Sequence, residues 1–434
     1  MNTAAGFIGL AAFFVLIALE VPIAIAMALI AFCGVWFLFG IHPAIGILAN
    51  TPYDFVASWT LSAVPMFLLM GFVAYYSGLT AGLFDAAKLG LRRVPGGLGI
   101  AAVFACSGFA AVCGSSLATA ASMGRIAIPE MVKAGYKPSF ATGALAAGGT
   151  IGALIPPSIL MIIYGVFSET SVSQVFVGGI SVGLLTAASY IAVILLVATF
   201  RKDIVPSTPI GVEDLDAGAV IRAVWPTVGL ILLIFGGLFS GYFTATEAGA
   251  VGAAGAILFA GLTGRLTWEV FRKSVLDTLG TCASLFIVGV CAVMFTKFLG
   301  LSGAAGLISS AVQSYDLNYA ELMIIIVVIY LILGMFMEPF GAMLVTLPVL
   351  MPVLNAQHID LVWFGVFLVK MLEIGMITPP LGMNVFVIRN VASQYATLGE
   401  IFRGVALFFA ADMVVVTLII ALPIIVLFLP NLIR

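Results

Sequence analysis

Long apolar blocks alternate along this chain with short clusters of Gly, Pro and charged residues. Reading the blocks between breakers predicts helices over 5–19, 22–40, 61–79, 138–167 and 175–200 in the first half. The second half gives 223–240, 244–262, 276–298, 361–390 and 404–429. Most approach the length of a bilayer span, about 20 residues. Two further apolar stretches, 97–134 and 320–355, are interrupted at their centres by polar, Gly or Pro residues. They predict re-entrant hairpins that enter and leave on the same side. Segments 45–58 and 80–93 are amphipathic and are expected along the membrane interface.

Composition removes the soluble alternative. Only 8% of the residues are charged and 63% are hydrophobic, whereas a soluble domain carries about 25% charge to face water. Lipid must therefore be the solvent for most of the surface. The longest polar stretch, about 201–222, leaves no room for a soluble domain. The net charge of −2 says nothing about partners, and no nucleic acid is expected. Cys33, Cys106, Cys113, Cys282 and Cys291 all fall in apolar runs, without metal-ligand or disulfide spacing, and read as packing residues. No basic segment precedes the first apolar run, so it reads as a retained helix rather than a cleaved signal.

The basic residues orient the spans. Fourteen of 17, from Lys88 to Arg403, fall on one side of this arrangement; Lys297, Lys370 and Arg434 do not. That side is expected to be cytoplasmic, with both termini periplasmic. The first hairpin then opens from the cytoplasm and the second from the periplasm, as an inverted repeat requires.

The two halves also align without a gap. An offset of 223 carries Pro129 to Pro352, Gly152 to Gly375, Pro156 to Pro379 and Pro157 to Pro380, and places Phe140 on Trp363. The identities fall at breakers, where backbone geometry is most demanding. The fold expected is an all-α polytopic membrane protein of two inverted-topology repeats, residues 1–200 and 223–434. Each repeat has a re-entrant hairpin and a broken helix, at 138–167 and 361–390. The linker 201–222 contains Pro206, Pro209, Glu213, Asp214 and Asp216.

Irregular backbone at membrane depth survives only where protein or a watery cavity satisfies it. Four such places correspond between the halves: the tips Gly114-Ser115-Ser116 and Glu338-Pro339-Phe340-Gly341, and the breaks Gly152–Pro157 and Gly375–Pro380. Paired broken helices point to the binding site of a secondary transporter. Pro157 and Pro380 are expected to open new half-helices. Unpaired carbonyls before them suit Na⁺, and free N–H groups after them suit an anionic substrate. The Na⁺ candidates are Ser115, Gly152, Glu338, Gly375, Met376 and Thr378, partly through backbone carbonyls. The substrate candidates are Ser116, Pro156, Pro157, Ser158, Pro379, Pro380 and Asn384.

Each has a plainer alternative. Ser115 and Ser116 also fit back-bonding to their helix. Glu338 fits an ion ligand, a proton carrier or a helix cap. Asn384 fits the site or a bond between helices. Lys370 and Glu373, three apart, read as an ion pair on one helix face. Glu247 and Asp412 read as packing or interface groups, and His42 and His358 lie near span ends without ligand partners.

The runs GSSLATAASMGRIAIPEMVKAGY, GGTIGALIPPSILMIIYG, GMFMEPFGAMLVTLPVLMPVL and LEIGMITPPLGMNVFVI resemble the large membrane subunit, DctM-like, of tripartite ATP-independent periplasmic (TRAP) transporters. The resemblance covers about residues 7–429. The acid at the second tip, often Asp in that family, is Glu338 here. What the resemblance implies is a bacterial inner-membrane, elevator-type carrier driven by a Na⁺ gradient. It also implies a small membrane subunit of about four spans, a periplasmic substrate-binding protein and an organic-acid substrate. Two rivals fit less well. A stand-alone divalent-anion:Na⁺ symporter carries Ser-Asn-Thr at both tips, which this chain lacks. An intramembrane hydrolase would need a Ser–His, paired-Asp or metal constellation at depth.

Overall fold

The computed structural model describes residues 3–206, 216–315 and 317–432. Among them the secondary structure is helical throughout, with 20 α-helices and three short 3₁₀ turns. Eight helices are long and apolar enough to cross a membrane, from Trp59–Tyr76 to Leu398–Ala421. Pro209, Glu213 and Asp214 of the linker lie outside the described residues, as does Arg434.

The interrupted stretches form helical hairpins. Gly97–Cys113 and Ser116–Lys133 make the first; Tyr319–Phe336 and Pro339–Ala356 make the second. The broken helices follow, as Pro138–Thr150 with Ile159–Phe167, and Leu361–Gly375 with Met383–Val391. An offset of 223 places Ser116–Lys133 on the bounds of Pro339–Ala356, and brings each half of the first broken helix within two residues of its counterpart.

Several predicted bounds move, for local reasons. The helix expected at 276–298 runs from Trp268 to Ser302. Thr267 caps it by accepting the Val270 N–H, and the Glu269–Lys273 pair at 2.9 Å carries the helix through its charged first turns. The helix expected from 223 starts at Ala217, because Asp216 accepts the Gly218 and Ala219 N–H groups at 3.0 and 3.2 Å. The block 404–429 is two helices, Leu398–Ala421 and Ile424–Leu432. Pro423 removes an N–H and pushes Leu422 out of the helical region, to φ −130° and ψ 75°. Beyond the predicted spans lies a further helix, Ala304–Ser314, which Gly303 at φ +80° sets off from its predecessor. At the start of the linker, hydrogen bonds from Arg201 and then Lys137 hold the exposed Asp203 carboxyl well below the usual carboxylate range.

Buried apolar residues form two clusters. One centres on the first hairpin and reaches into the second half of the chain through Ile388, Val405 and Phe408. The other holds the second hairpin with Phe364 and Phe367. Glycine permits the closest helix contacts. A Cβ on Gly143 would lie 2.7 Å from Gly404 Cα, and one on Gly375 would lie 2.6 Å from Gly334 Cα. Gly143→Val is therefore expected to cost at least the ~1–3 kcal/mol typical of overpacking, since the atoms it meets are backbone. Gly236→Val, which meets nothing within 4 Å, serves as the control in thermal unfolding of detergent-solubilised protein. Equal melting of the two variants would refute the close approach.

Candidate functional site

The first tip is built on backbone geometry. Gly114 ends its helix in the left-handed region at φ +63°, which glycine enters without a Cβ penalty. It sits directly against the Pro157 carbonyl oxygen. Ser115 caps the next helix, its Oγ accepting the Ala118 N–H at 3.5 Å. Its own carbonyl accepts from Thr119 Oγ1 at 2.8 Å. Gly152, in the 3₁₀ turn Ile151–Ala153, is held so close that a Cβ would lie 2.7 Å from Thr119 Oγ1 and 2.8 Å from Ser115 O. The first tip and the first break thus share one backbone junction.

At the second tip Glu338 occupies the N-cap position, but its side chain makes no capping bond and is exposed. Pro339 follows at the first helical position, where its missing N–H costs nothing. The second break begins after Gly375. Met376 O accepts the Asn384 N–H at 3.0 Å, and Thr378 Oγ1 donates to Ile374 O at 2.7 Å.

Pro157 and Pro380 do not open the half-helices, contrary to expectation. The starts are Ile159, capped by Ser158 Oγ accepting the Met161 N–H at 3.4 Å, and Met383, preceded by Gly382 at φ +49°. A Ser158 cap and a left-handed Gly382 stand immediately before the helix starts, so both prolines stay in the unwound segments. Pro156 and Pro157 are buried, whereas Pro379 and Pro380 are exposed.

The two tips and the two breaks border one cavity of about 390 Å³. Ser115 and Ser116 come from the first tip and Glu338, Pro339 and Phe340 from the second. Ala153 and Met376 come from the breaks, and Ile159 and Met383 are the first residues of the half-helices. An adjoining cavity of about 340 Å³ shares Glu338 and Met376 and adds Gly375. Of the predicted residues, Ser115, Ser116, Glu338 and Met376 therefore meet at the main cavity, with Gly375 beside it. Gly152 lies behind Ser115, and Pro156, Pro157, Ser158, Thr378, Pro379 and Pro380 stay off the lining. Asn384 is fully buried and bridges the halves, its Nδ2 donating to Ala146 O at 3.2 Å while Oδ1 has no partner.

The sequence reading missed Glu373. It lines the cavity, 1% exposed, and accepts from Ser116 Oγ at 2.6 Å. It does not pair with Lys370. The Lys370 ammonium reaches Asp412 Oδ1 on another helix at 2.5 Å, with both side chains fully buried. Asp412 Oδ2 accepts from the Tyr190 hydroxyl at 2.8 Å, and Tyr190 meets Thr150 Oγ1 at 3.0 Å. Asp412 is thus an ion-pair partner rather than a packing group. Glu247, the third residue of its helix, forms a capping box with Thr244. Three charges inside apolar helices were the available signal, but spacing alone favoured the neighbour at i+3 over a partner 42 residues away.

The comparisons with known proteins decide the family. Residues 10–425 match the tripartite ATP-independent periplasmic transporter, DctM component. The chain belongs to this family. As a TRAP large permease it is a multi-pass membrane protein and one component of a secondary transporter. It is 34% identical to the C4-dicarboxylate TRAP transporter large permease protein DctM of Pseudomonas aeruginosa, over 88% of this chain and 89% of that one. It is 33% identical to the sialic acid TRAP transporter permease protein SiaT of Haemophilus influenzae, over 86% of this chain and 60% of that longer protein. These relatives are named as permeases, not enzymes. In fold, the TRAP permease is similar to the YdaH transporter of Alcanivorax borkumensis, with a TM-score of 0.62, 14% identity and 88% of each chain covered. Neisseria gonorrhoeae MtrF gives a TM-score of 0.61 at 14% identity, over 88% of this chain and 85% of that one.

Proposed function

We propose that this TRAP permease forms the translocation pathway for Na⁺-coupled uptake of a small organic acid delivered by a periplasmic binding protein. The observation that carries the reading is the meeting of both tips and both breaks at one cavity. The donor chemistry fits a hard monovalent cation. Ser115 Oγ, the Glu338 carboxyl and the Met376 carbonyl are all oxygens, and a carbonyl already accepting one N–H keeps a second lone pair. The half-helix starts at Ile159 and Met383 turn their partial positive ends toward the same space.

In this reading the chain is two inverted repeats in a bacterial inner membrane, with both termini periplasmic. The hairpins are re-entrant and carry the site by an elevator movement. Relatives named for C4-dicarboxylate and sialic acid transport support an acidic solute. A small membrane subunit and the binding protein complete the system.

Reconstitution tests this directly. The purified chain alone in liposomes is expected to give no solute uptake. Adding the small subunit, the binding protein and external Na⁺ is expected to restore it, with ATP making no difference. Uptake by the lone chain that persists when K⁺ replaces Na⁺ would exclude both the tripartite and the Na⁺-coupled reading.

A further inference from the structure

We propose that a second anion site, centred on the Arg125 guanidinium, takes the carboxylate of the solute on its way out of the cavity. This inference rests on the cavity being the solute site and on uptake running toward the cytoplasm.

Its first support is continuity. A separate cavity of about 340 Å³ is bordered by Tyr75, Tyr76, Thr80, Ser122 and Arg125. It continues the main cavity along the same helices. On Ala63–Tyr76, Leu68 and Phe72 face the main cavity and Tyr76, four residues on, faces the second. On Ser116–Lys133, Ala118 faces the first and Ser122, again four residues on, faces the second. On Trp268–Ser302, Leu285 and Thr281 face the first, and Asp277, one turn earlier, accepts from the Tyr76 hydroxyl. Arg125 lies about 15 Å along its helix from Ser115, at 1.5 Å per residue. In the orientation set by the basic residues, this end faces the cytoplasm.

The second support is the donor set. Among the described residues no Lys, Arg or His lines the main cavity, and Arg125 is the cation that borders the second. Among the same residues Arg125 makes no ion pair, and the hydroxyls of Tyr75, Thr80 and Ser122 make no hydrogen bond. Other hydroxyls on these helices, those of Thr119 and Thr278, donate to the carbonyl four residues back, which Ser122 does not. Thr80 and Ser122 are only 3% and 9% exposed. A buried hydroxyl without a partner costs free energy that an incoming acceptor would return. The turn that carries Thr80 is fixed from two other helices, by Arg265 Nη1 donating to Gly78 O at 2.7 Å and Thr227 Oγ1 to Leu79 O at 2.8 Å. One guanidinium and three free hydroxyls suit a carboxylate. Asp277 sets an opposing charge at the edge, which keeps the hold weak, as a release step needs.

The test is anion protection of a cysteine at the second cavity. Ala81 is exposed on its border, and Ala81→Cys is introduced into the full chain with its five native cysteines replaced. The chain is reconstituted in phosphatidylcholine vesicles. Alkylation by iodoacetamide is timed with potassium succinate or potassium chloride, at equal ionic strength, on both sides. Protection follows mass action, so succinate at roughly ten times its dissociation constant is expected to slow labelling about tenfold. Arg125→Gln is expected to abolish the slowing, and Arg125→Lys to keep part of it, since lysine retains the charge but not the fork. No slowing by succinate, or equal slowing in Arg125→Gln, would overturn the site. Slowing by phosphatidylglycerol added to the vesicles, without slowing by succinate, would assign the pocket to a lipid headgroup and overturn it as a solute site. The translocation reading survives each of these results if the complete tripartite system still shows Na⁺-driven uptake. If that uptake is missing while the Arg125-dependent slowing stands, the pocket binds anions but is no exit, and the inference falls with the reading.

Discussion

Asp412→Leu is expected to remove about 3–5 kcal/mol of folded stability, the range for leaving one member of a buried ion pair alone. The reason is geometric. The Lys370 ammonium is fully buried, 2.5 Å from Asp412 Oδ1, so without the carboxylate its charge has no water to return to. The Tyr190 hydroxyl would also lose its acceptor, though it keeps Thr150. Against a total stability of about 5–15 kcal/mol, the loss should show as poor yield or a sharply lowered melting temperature in detergent. Lys370→Met alone should be nearly as damaging, because Asp412 would then be the stranded charge. The double variant Lys370→Met/Asp412→Leu should recover most of the stability, since replacing both charges by apolar groups is often neutral. If the double variant melts no higher than the singles, the pair is not the interaction that holds these helices.

That pair also explains how the two breaks are kept in one frame. Thr150 ends the first half of one broken helix, and Lys370 lies on the first half of the other. Tyr190 and Asp412 bridge them from two long helices, so a polar connection runs between the break regions through fully buried atoms. Glu373, one turn beyond Lys370 on the same helix and not bonded to it, is tied separately to the first tip through Ser116. Such a connection ties the two broken helices together, as the proposed elevator movement would require.

The features legible in the sequence were those fixed locally. Gly114 and the Pro-Pro pairs announced turns and breaks because glycine and proline restrict the backbone whatever surrounds them. The offset of 223 was visible at these breakers, and the helix bounds observed there follow it closely. What stayed hidden was set by contacts between distant segments. Nothing near Lys370 in sequence reveals Asp412, so the i+3 carboxylate at Glu373 was the obvious and wrong partner. Ser158 and Gly382 were overlooked as helix starts because the adjacent prolines gave the louder signal. The split at Leu422, by contrast, was available from Pro423 and was overridden by the apolar run around it.

Glu338→Gln is expected to abolish or strongly weaken Na⁺-driven uptake while leaving expression and folding intact. Folding should be spared because the carboxyl makes no capping bond and is exposed to the cavity, so an amide of the same shape strands nothing. Transport should suffer because an amide oxygen remains a donor atom but carries no charge to hold the ion. Interactions with a charged group contribute about 1.5–3 kcal/mol, which corresponds to a roughly ten- to hundredfold loss of Na⁺ affinity. The measurement is the Na⁺ dependence of solute uptake in proteoliposomes containing the complete tripartite system, wild type against variant. A rightward shift in half-saturating Na⁺ of that size, restored by Glu338→Asp, would identify an ion ligand at the second tip. The aspartate control matters because it keeps the charge and changes only the reach of the side chain. An unchanged Na⁺ dependence in Glu338→Gln would mean that the ion site does not use this carboxyl. The Met376 carbonyl and the Ser115 hydroxyl would then have to hold the cation without it.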